Sequence, residues 1–592
     1  MDIYRKIITS LIVGFIYMGS LSAQRTIYEP LDLNKVKFSF EDFGSMWTFD
    51  AVPLEKYKKK YNFSPDKAWL DDVQKSALQF GGGCSAAFVS EDGLIMTNHH
   101  CIRGRLGQIQ KKGENIFRDG YYAKSLEDER IFPDLYVDQL IEIKDVTSDI
   151  INALKKGKTD QEKVDLKNKT MQELVEKHEK VTGLNCRIVT LYNGGKYSLY
   201  SYKRYNDIRL VMAPDVQIAA TGWDWDNFTY PRYELDFAFL RAYENGKPIK
   251  TDHFFSWSKK GAAENEPIFV VGRPGNTDRL LSIRELAFKR DVESPVILQR
   301  MNELYKAYYR YFEENPERQQ ELLGRLLSVA NGRKSYAGGL MALKDEYLMT
   351  KKQDFENNLK EKVKKDQKLS KEYGKIWNEI DKVFEELNKF EKEHLVFRVS
   401  EYYASSYRNT AKNLVIYAEQ MKLPEDKRLN DYKKENISKT KADIFVQPAD
   451  ADLQTYLIAA HANFLSKVMG GNYQLFKNTY GGNIDEKAVN FMNENSQMAN
   501  ESFIEGLINA GSDAILASKD PLIQYYVVSR GFTAANNDKR EKLYNTLEVL
   551  NQKLGRLIFE AYGNIIPPDA TATLRISDGV IKQYEYNGTI AP

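Results

Sequence analysis

His99, His100 and Cys101 stand at the end of a short apolar run, Leu94-Ile95-Met96-Thr97, and Asn98 leads into them. A histidine fixed at such a strand end is suited to general-base work. Its ordinary pKa lies near neutrality, and a partner on one ring nitrogen selects the tautomer that frees the other to take a proton. There are six histidines and no HExxH, which argues against a zinc-dependent hydrolase. If the strand continued, His99 and His100 would point to opposite faces and would not chelate one ion together. We therefore read His100 as the base and His99 as structural. The plainer alternative is that a lone strand histidine only packs. A buried carboxylate must orient the base by accepting from its ring N–H. Asp236, inside Leu235-Asp236-Phe237-Ala238-Phe239-Leu240, fits, and Asp224 and Asp226 in a more loop-like stretch are the runners-up. The plainer reading of Asp236 is a strand-end residue capped by backbone.

The elements around these residues carry their own constraints. Three cysteines are present, Cys84, Cys101 and Cys186. In an exported protein a Cys84–Cys101 disulfide would bracket the strand that leads to His100, leaving Cys186 as a buried free thiol. Without CxxC spacing the three make no zinc site. Export is indicated by the N-terminus: Arg5 and Lys6 precede an apolar stretch from Ile7 to Gly19, and Leu21-Ser22-Ala23 suits cleavage. That stretch is short of the roughly 20 residues that span a bilayer, so a signal peptide over residues 1–23 is expected rather than an anchor. No other segment is apolar enough to span a membrane.

The chain of 592 residues is too long for one core. Its 85 basic and 83 acidic residues leave a net charge of +2, which argues against a nucleic-acid partner. Short strand-like runs occupy 36–40, 86–89, 94–97, 186–192, 196–202, 216–220, 235–241 and 268–271, separated by turn residues as in an antiparallel barrel. A charged, helix-like excursion covers 148–182. Past Gly272-Arg273-Pro274-Gly275 the period changes: no proline occurs between Pro316 and Pro424, and Leu359, Val363, Trp377, Ile380, Val383 and Leu387 follow helical spacing. The helical pattern lasts to Tyr562. Pro567-Pro568-Asp569 then marks a turn, and strand-like alternation returns at 571–576 and 580–586, a return to a β-domain.

Two segments resemble the bacterial dipeptidyl peptidases of the S46 serine peptidase family. One runs from Gly81 through Thr97-Asn98-His99-His100-Cys101, and the other from Asp226 through Pro231-Arg232 and Asp236 to Tyr243. The resemblance covers about 36 to 586. It implies an α+β multidomain fold, a chymotrypsin-like double β-barrel with a large inserted all-α domain that caps the cleft. The expected division is a signal peptide at 1–23, a β-barrel catalytic region at 24–280, the α-helical cap at 281–562, and the first strands of an incomplete returning barrel at 563–592. By the same resemblance His100 is the base and Asp236 its orienting acid. Asn227, Arg232 and Asn331 hold the substrate's amino end, with Asn331 in the helical segment Val329–Lys334. Phe228 stands where many members carry Trp, so the aromatic wall persists without an indole donor. The plainer reading of Asn227, Phe228 and Arg232 is a packed turn.

This chemistry also needs a serine in a Gly-rich turn that donates an oxyanion hole. Gly44-Ser45-Met46, Gly83-Cys84-Ser85 and Gly511-Ser512-Asp513 are the nearest matches, and none has the following glycine. In the family the serine comes late, in the returning barrel. The expectation is therefore a truncated record of a periplasmic or secreted serine dipeptidyl aminopeptidase, inactive without that segment. A second reading is a catalytically inactive periplasmic peptide-binding protein, and a third a trypsin-like endopeptidase. The expected partners are peptides with a free N-terminus and, by family resemblance, a second copy in a homodimer. No nucleic acid, membrane, metal or organic cofactor is implied.

Overall fold

A computed structural model describes residues 31–81, 83–220, 225, 227–229, 232–398, 403–586 and 588–591. The signal-like segment 1–23, Asp224 and Asp226 lie outside the described residues. The first part is an antiparallel sheet. Its strands are β1 (Ala77–Phe80), β2 (Cys84–Phe88), β3 (Leu94–Thr97), β4 (Tyr121–Tyr122), β5 (Arg130–Ile131), β6 (Val137–Asp145), β7 (Asn185–Leu191), β8 (Lys196–Tyr205), β9 (Asp207–Ala213), β10 (Ala238–Glu244) and β11 (Lys247–Pro248). The order is β4-β9-β10-β3-β2-β1-β6-β8-β7, with β5 beside β9 and β11 beside β10.

Alternation explains the central strands. Ala238, Leu240 and Ala242 of β10 are buried with Phe88, Ile95, Ile208 and Leu210, while the residues between them face the other way. Burying each of the larger aliphatic side chains contributes roughly 2 kcal/mol. The turn between β2 and β3 needs glycine at Gly93. Its φ is +67°, and a Cβ there would sit 2.5 Å from Cγ1 of Ile249.

Helices supply most of the rest, so the chain is an α+β protein with a large helical part. Those that matter below are α1 (His99–Ile102), α2 (Asp160–Thr182), α3 (Ile283–Phe288), α4 (Ser294–Glu314), α5 (Gln319–Lys344), α6 (Glu346–Lys365), α7 (Ile376–Leu387) and α8 (Pro521–Tyr562). A π-helical turn, Lys289–Glu293, joins α3 to α4. Capping sets the ends of α2. Thr159 and Glu162 form a reciprocal capping box at its start, and Gly183, with φ +68°, ends it in the left-handed region. Leu359 and Val363 of α6 and Ile380, Val383 and Leu387 of α7 pack on Leu550, Leu554 and Leu557 of α8. Trp47, Leu140 and Tyr200 belong to the same core, so the sheet and these helices share one apolar interior. After α8 the chain returns to the β part. β12 (Pro267–Gly272) pairs antiparallel with β13 (Arg575–Val580), and Tyr584–Tyr586 pairs with Thr589–Ala591.

Several sequence expectations need correction. Residues 36–39 form no strand: the Phe38 and Ser39 N–H groups donate to Asp354 and Asp42 carboxylates instead of to a ladder, and a 3₁₀ turn follows at Phe40–Phe43. Residues 216–220 form turns, and Val216 and Ala220 are buried against α4 and α5 residues such as Leu304, Tyr308 and Leu326. The strand expected at 571–576 begins only at Arg575. Strands β1, β4, β5, β6, β9 and β11 were not anticipated. Cys186 is half-buried rather than buried. Among the described residues no helix is long and apolar enough to cross a membrane.

Candidate active site

β3 and β10 lie side by side, with Thr97 opposite Ala238. Beyond the ladder the two chains keep company, which brings Asn98 to His100 against Asp236. The Asp236 carboxylate meets His100 twice: Oδ2 lies 2.6 Å from the ring Nδ1, and Oδ1 accepts from the His100 backbone N–H at 2.9 Å. Asn98 Nδ2 donates to the same Oδ2 at 3.2 Å and to the Asp236 backbone carbonyl at 3.0 Å. Burial pushes the Asp236 carboxyl up, but the bonds from His100 outweigh it and hold the group below its ordinary value.

The histidine pair does not alternate across a strand. β3 stops at Thr97, Asn98 caps α1 in an extended conformation, and its side chain makes no cap bond because it is engaged with Asp236. Successive helical residues turn by about 100°. His99 therefore points inward, with no exposure, while the side chain of His100 keeps 45 % of its surface open. Burial, then the nearby Arg103 charge, pushes His99 down to about 4, so it is neutral near pH 7. Neither His99 ring nitrogen has a hydrogen-bond partner among the described residues.

Asp236 also sits differently from expectation. The strand begins at Ala238, and Asp236 lies in a tight turn closed by the Phe237 N–H donating to the Leu235 carbonyl at 2.8 Å. The Leu235 N–H donates to the Ile218 carbonyl at 2.8 Å, which pins this turn to the neighbouring loop.

Cys84 and Cys101 form a disulfide that ties α1 to β2. The two sulfurs and a His100 ring nitrogen lie within 4.8 Å of one another. Because the sulfurs are bonded together, they offer no thiolate to a metal ion. A cavity of about 450 Å³ opens beside Asn98 and Asp236, with Trp257, Phe269 and Val271 in its wall.

A second polar cluster is built from three of the remaining candidates. Asn227 Nδ2 donates to Asn331 Oδ1 at 3.1 Å, and Arg232 Nη1 donates to Asn227 Oδ1 at 3.2 Å. Arg232 Nε is in turn 2.8 Å from Glu234 Oε1. Lys334, one turn beyond Asn331 on α5, donates from Nζ to the Asn227 backbone carbonyl at 3.0 Å. The loop before β10 is thus fastened to α5 by both the side chain and the main chain of Asn227. Phe228 stands apart from these bonds, exposed to 63 % and with a left-handed φ of +63°. Sequence reasoning passed over Asn98, Glu234 and Lys334. All three lie inside the motifs around His100, Arg232 and Asn331, and that proximity was the available signal.

Comparison with known proteins gives the family and the fold. The family model described as Peptidase S46 matches residues 41–592. A dipeptidyl-peptidase 7 of Capnocytophaga gingivalis is 24% identical over 528 residues, 86% of this chain and 73% of the relative. An Asp/Glu-specific dipeptidyl-peptidase of the same organism is 25% identical over 572 residues, 91% of this chain and 78% of the relative. Among solved structures, Porphyromonas endodontalis DPP11 in complex with the dipeptide Arg-Glu superimposes with a TM-score of 0.72 at 19% identity, over 92% of this chain and 82% of that one. The chain belongs to the peptidase S46 family.

Proposed function

We propose that this protein is a serine-type dipeptidyl aminopeptidase, releasing dipeptides from the amino ends of peptides in the periplasm or outside the cell. The observation that carries the reading is the pair of hydrogen bonds between Asp236 and His100, one to the ring and one to the main chain. With its Nδ1–H donated to Asp236, the exposed ring of His100 presents Nε2 as the base that takes a proton from a serine hydroxyl and returns it to the leaving amine. Asp236 fixes the tautomer and stabilises the imidazolium. The names of the relatives, dipeptidyl-peptidase 7 and Asp/Glu-specific dipeptidyl-peptidase, support the substrate class.

An exopeptidase must grip a free ammonium and block further chain. Asn227 and Asn331 offer side-chain carbonyl oxygens for that ammonium. Arg232 holds Asn227 in place, and the exposed Phe228 ring gives an aromatic face to the first residues of the peptide. A homodimer is part of the proposal. The test is to incubate the native gene product with one peptide in free and N-acetylated forms. N-terminal dipeptides should appear from the free form alone, and His100→Ala should abolish their release. Internal cleavage of the acetylated peptide would instead identify an endopeptidase.

A second reading rests on one observation. Among the described residues no serine hydroxyl is hydrogen-bonded to His100. A chain that bound the free peptide and left it intact would be a catalytically inactive peptide-binding protein.

A further inference from the structure

A cavity of about 550 Å³ lies where the sheet, α3 and α8 meet, and the proposed reaction makes no use of it. We propose that this cavity is a binding site for an organic cation, an ammonium or guanidinium group on a short carbon stem. Three of the residues that line it each carry a buried polar atom without a hydrogen-bond partner among the described residues: Glu285 Oε2, Asn551 Oδ1 and the Tyr197 hydroxyl. Glu285 is only 8% exposed and Tyr197 is fully buried. The other Glu285 oxygen already accepts from Asn551 Nδ2 at 2.9 Å, so carboxylate and amide are held together at the cavity lining. An unpartnered buried group costs about 1–3 kcal/mol, so side chains shifting to meet a ligand with several N–H donors would recover part of that cost.

Charge points the same way. The cations that line the cavity are already paired, Lys167 with Glu548 and Lys289 with Asp278. Glu285 and Glu293 have no ion-pair partner among the described residues. The walls are aromatic as well. Phe288 and Phe384 pack with ring centroids 4.9 Å apart, and such rings favour an organic cation over a hydrated one. A compact metal ion fits less well. Among the described residues, the acidic groups here do not converge to ligand spacing, and the single cluster that does is at Cys84, His100 and Cys101.

The position gives such a ligand leverage. Tyr197 belongs to β8, Glu285 to α3 just before the π-helical turn, and Asn551 to α8. One bound cation would therefore join the sheet to both helices that connect it to the helical part.

Burial pushes the Glu285 carboxyl up to about 7. Asp278 and Glu293 act in the same direction, while Asn551 and Lys289 oppose it. The Lys167–Glu548 pair and Tyr544 face the cavity from α2 and α8. A cation that prefers the carboxylate should bind more weakly as pH falls from 8 to 6.

The experiment is calorimetric titration of the full chain with agmatine at pH 8. Saturable binding is expected, weakened about tenfold or more in Glu285→Gln and in Asn551→Leu. Thermal midpoints establish that the variants fold, and Tyr197→Phe, which removes one hydroxyl only, replaces any that does not. Absence of saturable binding at millimolar agmatine would overturn the proposal, as would equal affinity in Glu285→Gln. Loss of binding in Asn331→Ala would also overturn it, by placing agmatine at the proposed amino-end site instead.

Discussion

Asp236 is bound to His100 through both the ring and the main chain, at 2.6 Å and 2.9 Å. The backbone bond fixes where the carboxylate sits before the ring is considered at all, so the ring has one orientation in which Nδ1 meets Oδ2. Asn98 adds a donor to that same oxygen.

Replacing Asp236 by Asn keeps the shape but offers an N–H where an acceptor is needed, which turns His100 toward the wrong tautomer. In the active gene product we expect dipeptide release to fall by about 10⁴-fold, with substrate affinity nearly unchanged. Steady-state kinetics check this, and an Asp236→Asn variant with kcat within tenfold of the parent would remove Asp236 from the proposed mechanism.

His99 gives the fold a pH dependence. In the native state it stays neutral down to about 4, whereas in the unfolded chain it takes a proton near its ordinary value of 6.5. Below 6.5 the unfolded state therefore binds more protons. The stability contribution is complete above 6.5 and is lost as pH falls toward 4, by up to about 3 kcal/mol in all. Urea denaturation at pH 7, 5.5 and 4.5 should show a shallower decline for His99→Leu than for the parent. Parallel declines would rule out His99 as the source.

The Cys84–Cys101 bridge closes a short loop, 17 residues in sequence separation, around β3. The double substitution Cys84→Ser, Cys101→Ser should destabilise the sheet region by about 3 kcal/mol. Because α1 loses its tie to β2, hydrogen exchange should rise first at His100 and Cys101. Unchanged protection there would show that the pairing of His100 with Asp236 holds the turn unaided.

Asn331→Ala removes the acceptor from Asn227 Nδ2 across the contact with α5. Peptides with a free amino end should bind about 10- to 100-fold more weakly, from a loss of roughly 1.5–3 kcal/mol in hydrogen bonding to a charged group. N-acetylated peptides should bind as weakly as before. An equal loss for both forms would mean that Asn331 supports the loop and does not recognise the ammonium.

Local sequence showed part of this. β3 was legible to the residue because Leu94–Thr97 is an apolar run launched by a glycine that the turn requires. β1 escaped because all four of its residues are buried and it follows directly from a helix, so neither alternation nor a turn marks it. Residues 216–220 misled in the opposite sense. Their apolar side chains are buried by helices rather than by a ladder, and periodicity records burial without saying what does the burying.

By itself the sequence determined the chemical types: a histidine beside a half-cystine, an aspartate ahead of an apolar strand, asparagines in two separate motifs, and the change from strand to helix periodicity. Only the tertiary structure decided which of them meet. Asp236 reaches His100 across 136 residues and Asn227 reaches Asn331 across 104. It also separated His99 from His100, because the strand ends at Thr97, ahead of the capping Asn98, and a helical turn buries one ring and exposes the other. The reason is physical. Side-chain pattern encodes the faces of an element, while the register of β3 on β10 and the packing of α5 beside that loop are settled only when whole surfaces fit together.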